Sequence, residues 1–446
     1  MWASALARKP NVVIFLTDDQ GTLDAGCYGA KDLQTPNMDR LAQEGVRFTQ
    51  AYAHMVCCPA RAALLTGRHP QRGGINDWAQ GNVNAKHGRG LALSEITLAE
   101  TLRAAGYRTA LFGKWHLGAA LDQGPNRQGF DEFFGIRGGF IDNYNHFYLH
   151  QQGYHDLFEG DTEVHHPGEF FPDLIVEQAL EFIERNKNEP FFLYVPFNTP
   201  HYPEQPPAKY LAMYAELPEP RKTYAAFLTM TDFYMGQILD QLERFDLEKE
   251  TIVIFQSDNG HSVEDKAIAS ADHGSGLPLG HNYGANCGGG YTGKWIGHKA
   301  TFLEGGVRVP AIIRAPSQIP SGVQCDEVIT AMDWYPTVLE LCDVAPSDNP
   351  LDGKSLVSLL NGKTSAPLHP VIYFQWVNSW AVHQGDWKLI CRRGRSPKSQ
   401  PAFDLYRLDS PAPETHDFSK EHPDKVAELQ ALYDTWHKSV FPATDL

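Results

Sequence analysis

Two aliphatic runs constrain this chain more tightly than any other feature: residues 11–16 (NVVIFL) and 251–255 (TIVIF), each ending in a pair of oxygen-bearing side chains. A short run without polar alternation suits a strand covered on both faces, as in the parallel sheet of an α/β protein. The first run leads into Asp18-Asp19 and the second into Ser257-Asp258-Asn259-Gly260. A third, residues 191–196 (FFLYVP), exits through Thr199-Pro200-His201. Open α/β sheets bind ligands outside the C-terminal ends of their strands, so these exits mark a candidate site.

Helical patterns alternate with these strands. Thr35-Pro36 opens a helix that Gly45 closes, residues 97–105 repeat the device with Gly106 as the stop, and residues 173–186 and 221–245 carry longer amphipathic patterns. Residues 108–116 (RTALFGKWH) read as a strand, which would put Lys114 and His116 on one face. Between them lies VCCPARAALLTGR, residues 56–68, where Pro59 suits a first helical position and Gly67 a stop, predicting a helix over 59–66. A helix N-terminus and Arg61 one turn in would both favour negative charge on Cys57, the setting of a reactive thiolate, with a buried apolar cysteine pair as the alternative.

The formal charge is −16, from 38 basic against 54 acidic residues, which argues against a nucleic-acid partner and requires any anion site to be a local basic pocket. Seven cysteines (Cys27, Cys57, Cys58, Cys287, Cys325, Cys342 and Cys391) form neither a disulfide framework nor a zinc spacing. No apolar run approaches the roughly 18 residues of a membrane span. Residues 1–10 are too short and too weakly apolar for a signal peptide, so either the protein is cytoplasmic or a leader has been trimmed away.

Residues 138–168 lose all periodicity and concentrate rings: Tyr144, His146, Tyr148, His150, Tyr154, His155, His165 and His166. With no histidine pair on a clear element, they read as a solvated or substrate-facing loop rather than a metal site. Breaker-rich stretches place a domain boundary near residue 365, dividing a catalytic α/β domain, residues 1–365, from residues 366–446. The latter predict a small antiparallel sheet over 371–377, 380–383, 387–391 and 403–406, covered by one helix, Pro423–Val440.

Asp18, Asp19, Asp258 and Asn259 offer only oxygen, so a divalent ion among them would be hard, with Ca2+ the better fit and Mg2+ the alternative. Either pair alone could be a helix cap; two matching pairs on two aliphatic strands favour the metal. Arg61, Lys114, His116, His201 and Lys299 would supply the local cationic pocket for an anionic substrate.

The CxPxR core followed by LLTGR, with DDQG at 18–21, GKWHLG at 113–118, TPH at 199–201, SDNG at 257–260 and GHKATFLEGGVRVP at 297–310, resembles the formylglycine-dependent sulfatases of the alkaline phosphatase superfamily. The resemblance extends to QGDWKLI near residue 390. It implies an alkaline-phosphatase-like fold, with a large, mostly parallel central sheet flanked by helices. It also implies that a maturation enzyme oxidises Cys57 to formylglycine, whose hydrate is the nucleophile. Asp18, Asp19, Asp258 and Asn259 then correspond to metal ligands, and Arg61 and Lys114 to residues holding the hydrate, with Asp258 also its activating base. His201 or Lys299 would give the leaving alcohol its proton, and His116 would deprotonate the second hydroxyl to expel sulfate.

Cys58 and Ala60 depart from the serines common at those positions, and His383 stands where many bacterial relatives have arginine. The expected substrate is a sulfated small molecule or glycan, a carbohydrate sulfate ahead of an aryl sulfate, because Trp78, Tyr144, Trp295, Trp376 and Trp380 could stack on sugar rings, with His383 a further candidate contact. A phosphate or phosphonate ester hydrolase, or an unmatured glycan-binding homologue, are the competing readings. The resemblance implies a periplasmic or secreted protein whose leader is absent from this chain.

Overall fold

Alternate residues of the strand Asn11–Asp18 point into two different cores: Val12, Ile14 and Leu16 into one, Val13 and Phe15 into the other. All eight of its residues are buried, which is why the run carries no polar alternation. A computed structural model, describing residues 9–79, 81, 83, 85–284, 288–363, 366–396 and 398–441, places this strand, β1, inside a ten-stranded sheet.

The other strands of that sheet are β2 (Val46–Tyr52), β3 (Arg108–Lys114), β4 (Glu132–Ile136), β7 (Phe158–Glu159), β8 (Thr162–Glu163), β9 (Phe191–Pro200), β10 (Thr251–Ser257), β11 (Arg308–Arg314) and β12 (Val323–Thr330). Two further strands, β5 (Phe147–Tyr148) and β6 (Tyr154–His155), form a separate hairpin. The order across the sheet is β12-β2-β11-β10-β1-β9-β3-β4-β7-β8. The central block β10-β1-β9-β3-β4 is parallel, whereas β11 runs antiparallel to both its neighbours and β7 and β8 extend the far edge antiparallel.

This order builds the site. Thr17 pairs with Ser257, so Asp18-Asp19 and Asp258-Asn259 leave the sheet side by side, and Asp258 N–H donates to Thr17 O at 3.0 Å. On the other side Asp18 pairs with Pro200, which brings His201 alongside, and β3 beyond it ends at Lys114.

The helices Phe171–Asn186 and Arg221–Arg244 cover one face, and Cys57–Thr66 the other. The helix expected over 97–105 is Leu98–Ala104, and Thr97 caps it in a capping box with Glu100. The helix predicted over 59–66 begins two residues earlier, at Cys57, with Gly67 in the left-handed region closing it. Pro59 is therefore its third residue; every N–H of the first turn lacks an intrahelical partner, so proline is tolerated there as well. The strand predicted over 108–116 stops at Lys114.

β13 (Ile372–Trp376), β14 (Ser379–Gln384), β15 (Trp387–Arg392) and β16 (Ala402–Arg407) form the antiparallel sheet expected of the C-terminal region. Leu429, Tyr433 and Trp436 of the helix Pro423–Val440 cover one face, while Phe374, Ala381 and Ile390 on the other join the core of the main domain. The boundary placed at 365, residues 1–8 and Cys287 lie outside the described residues. Among the described residues no helix is long and apolar enough to cross a membrane.

His54 sits in this junction among Phe302, Phe374 and Trp376, with Nε2 on Gln375 O at 2.9 Å. Burial pushes its pKa from 6.5 to about 3. Between those values the unfolded chain binds a proton that the folded chain does not, so stability rises with pH across this window and is lost on acidification. One such group contributes about 1.4 kcal/mol per pH unit inside it. His54→Leu, which leaves Gln375 O bonded to Gln71 Nε2 at 2.8 Å, should lose less stability than the native chain between pH 7 and pH 5 in urea denaturation.

Candidate active site

Three carboxylates and three cations interlock at the strand ends. Arg61 reaches Asp258 Oδ2 with Nε at 3.0 Å and Nη2 at 2.7 Å, and donates from Nη1 to Lys114 O at 2.9 Å. Lys114 Nζ pairs with Asp18 Oδ2. Lys299 Nζ lies 2.9 Å from Asp19 Oδ1, and His201 Nε2 3.6 Å from Asp19 Oδ2. Asn259 Nδ2 donates to Asp19 Oδ1 at 2.6 Å. Cys57 Sγ stands 3.4 Å from Asp18 Oδ1.

Two of these residues reach the site through strained backbone. Asp19 has φ 67° and His116 φ 55°, both in the left-handed region. His116 thus arrives by a turn beyond the end of β3 rather than by strand alternation from Lys114, correcting the sequence expectation. Gly260 is required by close approach: a Cβ there would fall 1.8 Å from Gly305 O, so the loop after β10 packs backbone to backbone on the segment that carries Lys299.

Burial sets the ionisation pattern. It would raise Asp18, but Lys114, His201, Arg61 and Lys299 outweigh it and hold that carboxyl below its usual range. Asp19 is raised to about 7 by burial, against Lys299 and with Asp18 and Asp258 adding. Burial, then Lys114, keeps His116 neutral well below the ordinary histidine range, and burial, then Lys299, does the same for His201. Cys57 behaves opposite to the sequence reading: burial, reinforced by Asp18, pushes its thiol well above the ordinary value despite Lys114 and Lys299. Burial beside Asp18 thus opposes ionisation of the native thiol, closer to the buried-cysteine alternative than to an activated thiolate.

The donor set fits a hard cation. Asp18, Asp19, Asp258 and Asn259 are fully buried, and Asn259 Oδ1 has no hydrogen-bond partner, an acceptor without a protein donor. Cys57 Sγ and His201 also lie close to Asp18 and Asp19.

Above this floor opens a cleft of about 330 Å3, lined by Cys57, His116, His201 and Lys299 at its base. Its walls include Trp78, Phe140, Tyr148, His150, Tyr202, Glu264 and Lys266. Trp78, 40% exposed, lines the cleft and stacks on His116 at 6.1 Å; Trp376 meets it edge-on at 5.3 Å but is itself buried in the core, so Trp78 alone of the expected tryptophans faces the cleft. The others are elsewhere. Tyr144 packs on Phe170 at 4.9 Å, Trp295 lies beneath the Arg308 guanidinium, and Trp380 stacks on Tyr433 at 3.9 Å. His383 is buried against Tyr52 with Nε2 on Gly385 O. His150 and Tyr148 stood in the ring-rich segment read as solvated or substrate-facing. Glu264 and Lys266 went unread; their one signal was a pair of charges seven and nine residues after the SDNG turn begins.

Cys58 Sγ points away from the site, 3.8 Å from Asp77 O. Cys58→Ser is expected to leave both turnover and modification of residue 57 unchanged; loss of activity with normal modification would contradict that placement.

A buried ion cluster ties the C-terminal sheet to the Lys299 segment. Lys388 Nζ of β15 lies 2.9 Å from both Glu304 and Glu414, Arg308 Nη1 2.9 Å from Glu304, and Tyr52 donates to Glu304 at 2.8 Å.

An α/β sheet with carboxylates, a carboxamide and cations converging on a buried cysteine defines a hydrolase-type site for a tetrahedral oxyanion. Residues 10–344 match the Sulfatase family model, and residues 294–423 match N-sulphoglucosamine sulphohydrolase, C-terminal. The chain belongs to the sulfatase family, of the alkaline phosphatase superfamily. It is 32% identical to the dog N-acetylgalactosamine-6-sulfatase, over 86% of this chain and 72% of that one. It is 30% identical to the mouse arylsulfatase J, over 86% of this chain but only 62% of the relative's length. Among solved structures, Ps i-CgsB in complex with k-i-k-neocarrahexaose has a TM-score of 0.79 at 27% identity, covering 96% of this chain and 93% of that one.

Proposed function

We propose that the protein hydrolyses sulfate monoesters on a carbohydrate, using residue 57 after its conversion from cysteine to formylglycine by a maturation enzyme. The observation that carries this reading is Cys57 at the base of a ring-walled cleft, beside Lys299, His116 and His201 and against Asp18. The opposition to ionisation supports it too, because the native cysteine is a poor nucleophile where it stands. Trp78 at the mouth and the likeness to a structure holding a carrahexaose support a sugar.

Asp18, Asp19, Asp258 and Asn259 would hold a divalent cation, Ca2+ for preference. When present, the cation supplies positive charge for substrate oxygens, and the formylglycine hydrate supplies an oxygen nucleophile with a second hydroxyl on the same carbon. The chain's own groups do the rest. Arg61 and Lys114 neutralise Asp258 and Asp18 beside residue 57, where they would hold the hydrate. Lys299 stands where the leaving oxygen needs a proton and the sulfate oxygens need positive charge; His201, neutral with its Nδ1–H on Tyr202 O, lies beside it and would share that role only once protonated. His116, neutral and with neither ring nitrogen hydrogen-bonded, can take a proton from residue 57. We treat residues 366–446 as a C-terminal subdomain that buttresses the Lys299 segment, and export to the periplasm or medium as the setting that suits such a substrate.

The test is sulfate release from defined sulfated saccharides by protein produced with a maturation enzyme, with the mass of the residue-57 peptide measured in parallel. Turnover on sulfated saccharides, together with the mass loss of thiol-to-aldehyde conversion, is expected. Faster turnover of nitrophenyl phosphate than nitrophenyl sulfate, or full activity with unmodified Cys57, would overturn it.

A further inference from the structure

At the edge of the main sheet, away from the strand-end site, two histidines and a glutamate meet. Each of His155, Glu163 and His165 offers a donor atom, and the three donor atoms lie within 4.8 Å of one another. His155 belongs to β6 and Glu163 to β8, and His165 follows two residues on, so extended chain presents Glu163 and His165 to the same side. His155 Nδ1 is 2.8 Å from Glu163 Oε1, and the two imidazole rings are 4.3 Å apart at 31°. We propose that His155, Glu163 and His165 form a second metal site, for a transition-metal dication of the zinc type, distinct in chemistry from the oxygen-donor site at the strand ends.

The donor set decides the class of ion. Two imidazoles and one carboxylate suit zinc and its neighbours, whereas calcium and magnesium select oxygen alone. Three protein ligands leave a fourth position for water. Zinc bonds of about 2.0–2.2 Å in tetrahedral geometry put donors about 3.3–3.5 Å apart. Reaching that value asks His155 Nδ1 and Glu163 Oε1, now 2.8 Å apart, to part by about 0.5 Å and lets His165, which is exposed, adjust to complete the set within the 4.8 Å spread. The arrangement is also graded for access. The His155 side chain is 9% exposed and Glu163 34%, so a buried ligand, a half-buried one and an open one line a path from solvent. The two rings stand close together beside one carboxylate, which bonds His155. Neither contacts the cleft, and the hydrogen bond between His155 and Glu163 does not require His165. A third imidazole, His146, is fully buried with its ring 6.1 Å from that of His155 and its Nδ1 without a hydrogen-bond partner.

The position gives the site a consequence. β5 and β6 pair Phe147 with His155 and Tyr148 with Tyr154, and the turn between them carries His150 and Gln151 to the cleft wall. A cation held jointly by β6 and the β7–β8 hairpin would pin this turn to the edge of the main sheet. The inference does not depend on which ester is cleaved.

Full-length protein stripped with a chelator and then saturated with Ca2+, to occupy the oxygen site, should bind one equivalent of Zn2+ in calorimetric titration. With Co2+ in place of Zn2+ it should develop the intense visible bands of a four-coordinate ion. His165→Ala, an exposed change that leaves the core untouched, should weaken Zn2+ binding by at least about 100-fold and abolish the Co2+ bands, since even ligand-orienting partners are worth 10–100-fold. His166→Ala, whose imidazole pairs with Glu169, should change neither. Absence of Zn2+ binding in the Ca2+-saturated native protein, equal binding by His165→Ala, or equal loss in His166→Ala would each overturn the proposal.

Discussion

Cys57→Ala is expected to reduce turnover by about 10^4-fold or more, the scale seen when a nucleophile is removed from a covalent mechanism, while the protein remains folded. Both halves follow from the surroundings of residue 57. Its side chain is buried and small, in the first turn of the helix Cys57–Thr66, and its one polar contact is to Asp18 Oδ1 at 3.4 Å. Alanine fills nearly the same space, and Asp18 keeps Lys114 and Arg61 as partners. The carboxylates and cations of the floor pair chiefly with one another rather than with the thiol, so they should stay in place. Sulfate release measures the loss, and circular dichroism with urea denaturation checks the fold. Turnover surviving in Cys57→Ala would remove residue 57 from the chemistry, whatever its state of modification.

The second large effect is on stability. Lys388→Met should cost about 3–5 kcal/mol, the range for removing one partner of a buried ion pair. Lys388 and Glu304 are both fully buried, and Glu414 is nearly so. Burial alone would raise Glu304, but Lys388 and Arg308 hold it down to about 2, so it is ionised in the folded protein. Without Lys388, Glu304 keeps Arg308 and Tyr52, whereas Glu414, already raised by burial, loses its cation. Adding Glu414→Gln to Lys388→Met should recover part of the loss, because the uncompensated charge is the penalty. The cluster fastens β15 to the segment that presents Lys299, five residues before Glu304. The single variant should therefore also lose activity at temperatures where it is still folded. Equal urea midpoints for Lys388→Met and the native chain would show that the cluster does not bear on stability.

Much of the fold was legible because its determinants are local. Continuous apolar runs mark strands covered on both faces, Thr97 and Gly106 bracket a helix, and short strand-like runs separated by turn residues marked all four C-terminal strands to within a residue or two. The two edge hairpins β5–β6 and β7–β8 were not legible. Their two-residue strands are too short to show a period, and neighbouring strands rather than propensity hold them in place.

The sequence by itself named the side chains proposed to carry the chemistry: six ordered motifs that resemble those of the sulfatases point to Asp18, Asp19, Cys57, Arg61, Lys114, His116, His201, Asp258, Asn259 and Lys299, and parallel strand exits imply that they meet. The tertiary structure alone decided what state they meet in. A helix end and one arginine, read locally, predicted an acidic thiol at residue 57; complete burial beside Asp18, imposed by the pairing of β1 with β10 and β9, reverses that sign. It likewise left Trp78 at the mouth of the cleft while burying Trp376 in the core and His383 in the junction, and it added Glu264 and Lys266 to the wall. Strand and cap signals are short-range and survive in the order of residues. Desolvation and charge are sums over segments up to 280 positions apart, as in the pair Lys299–Asp19, and only the register of the folded sheet sets them.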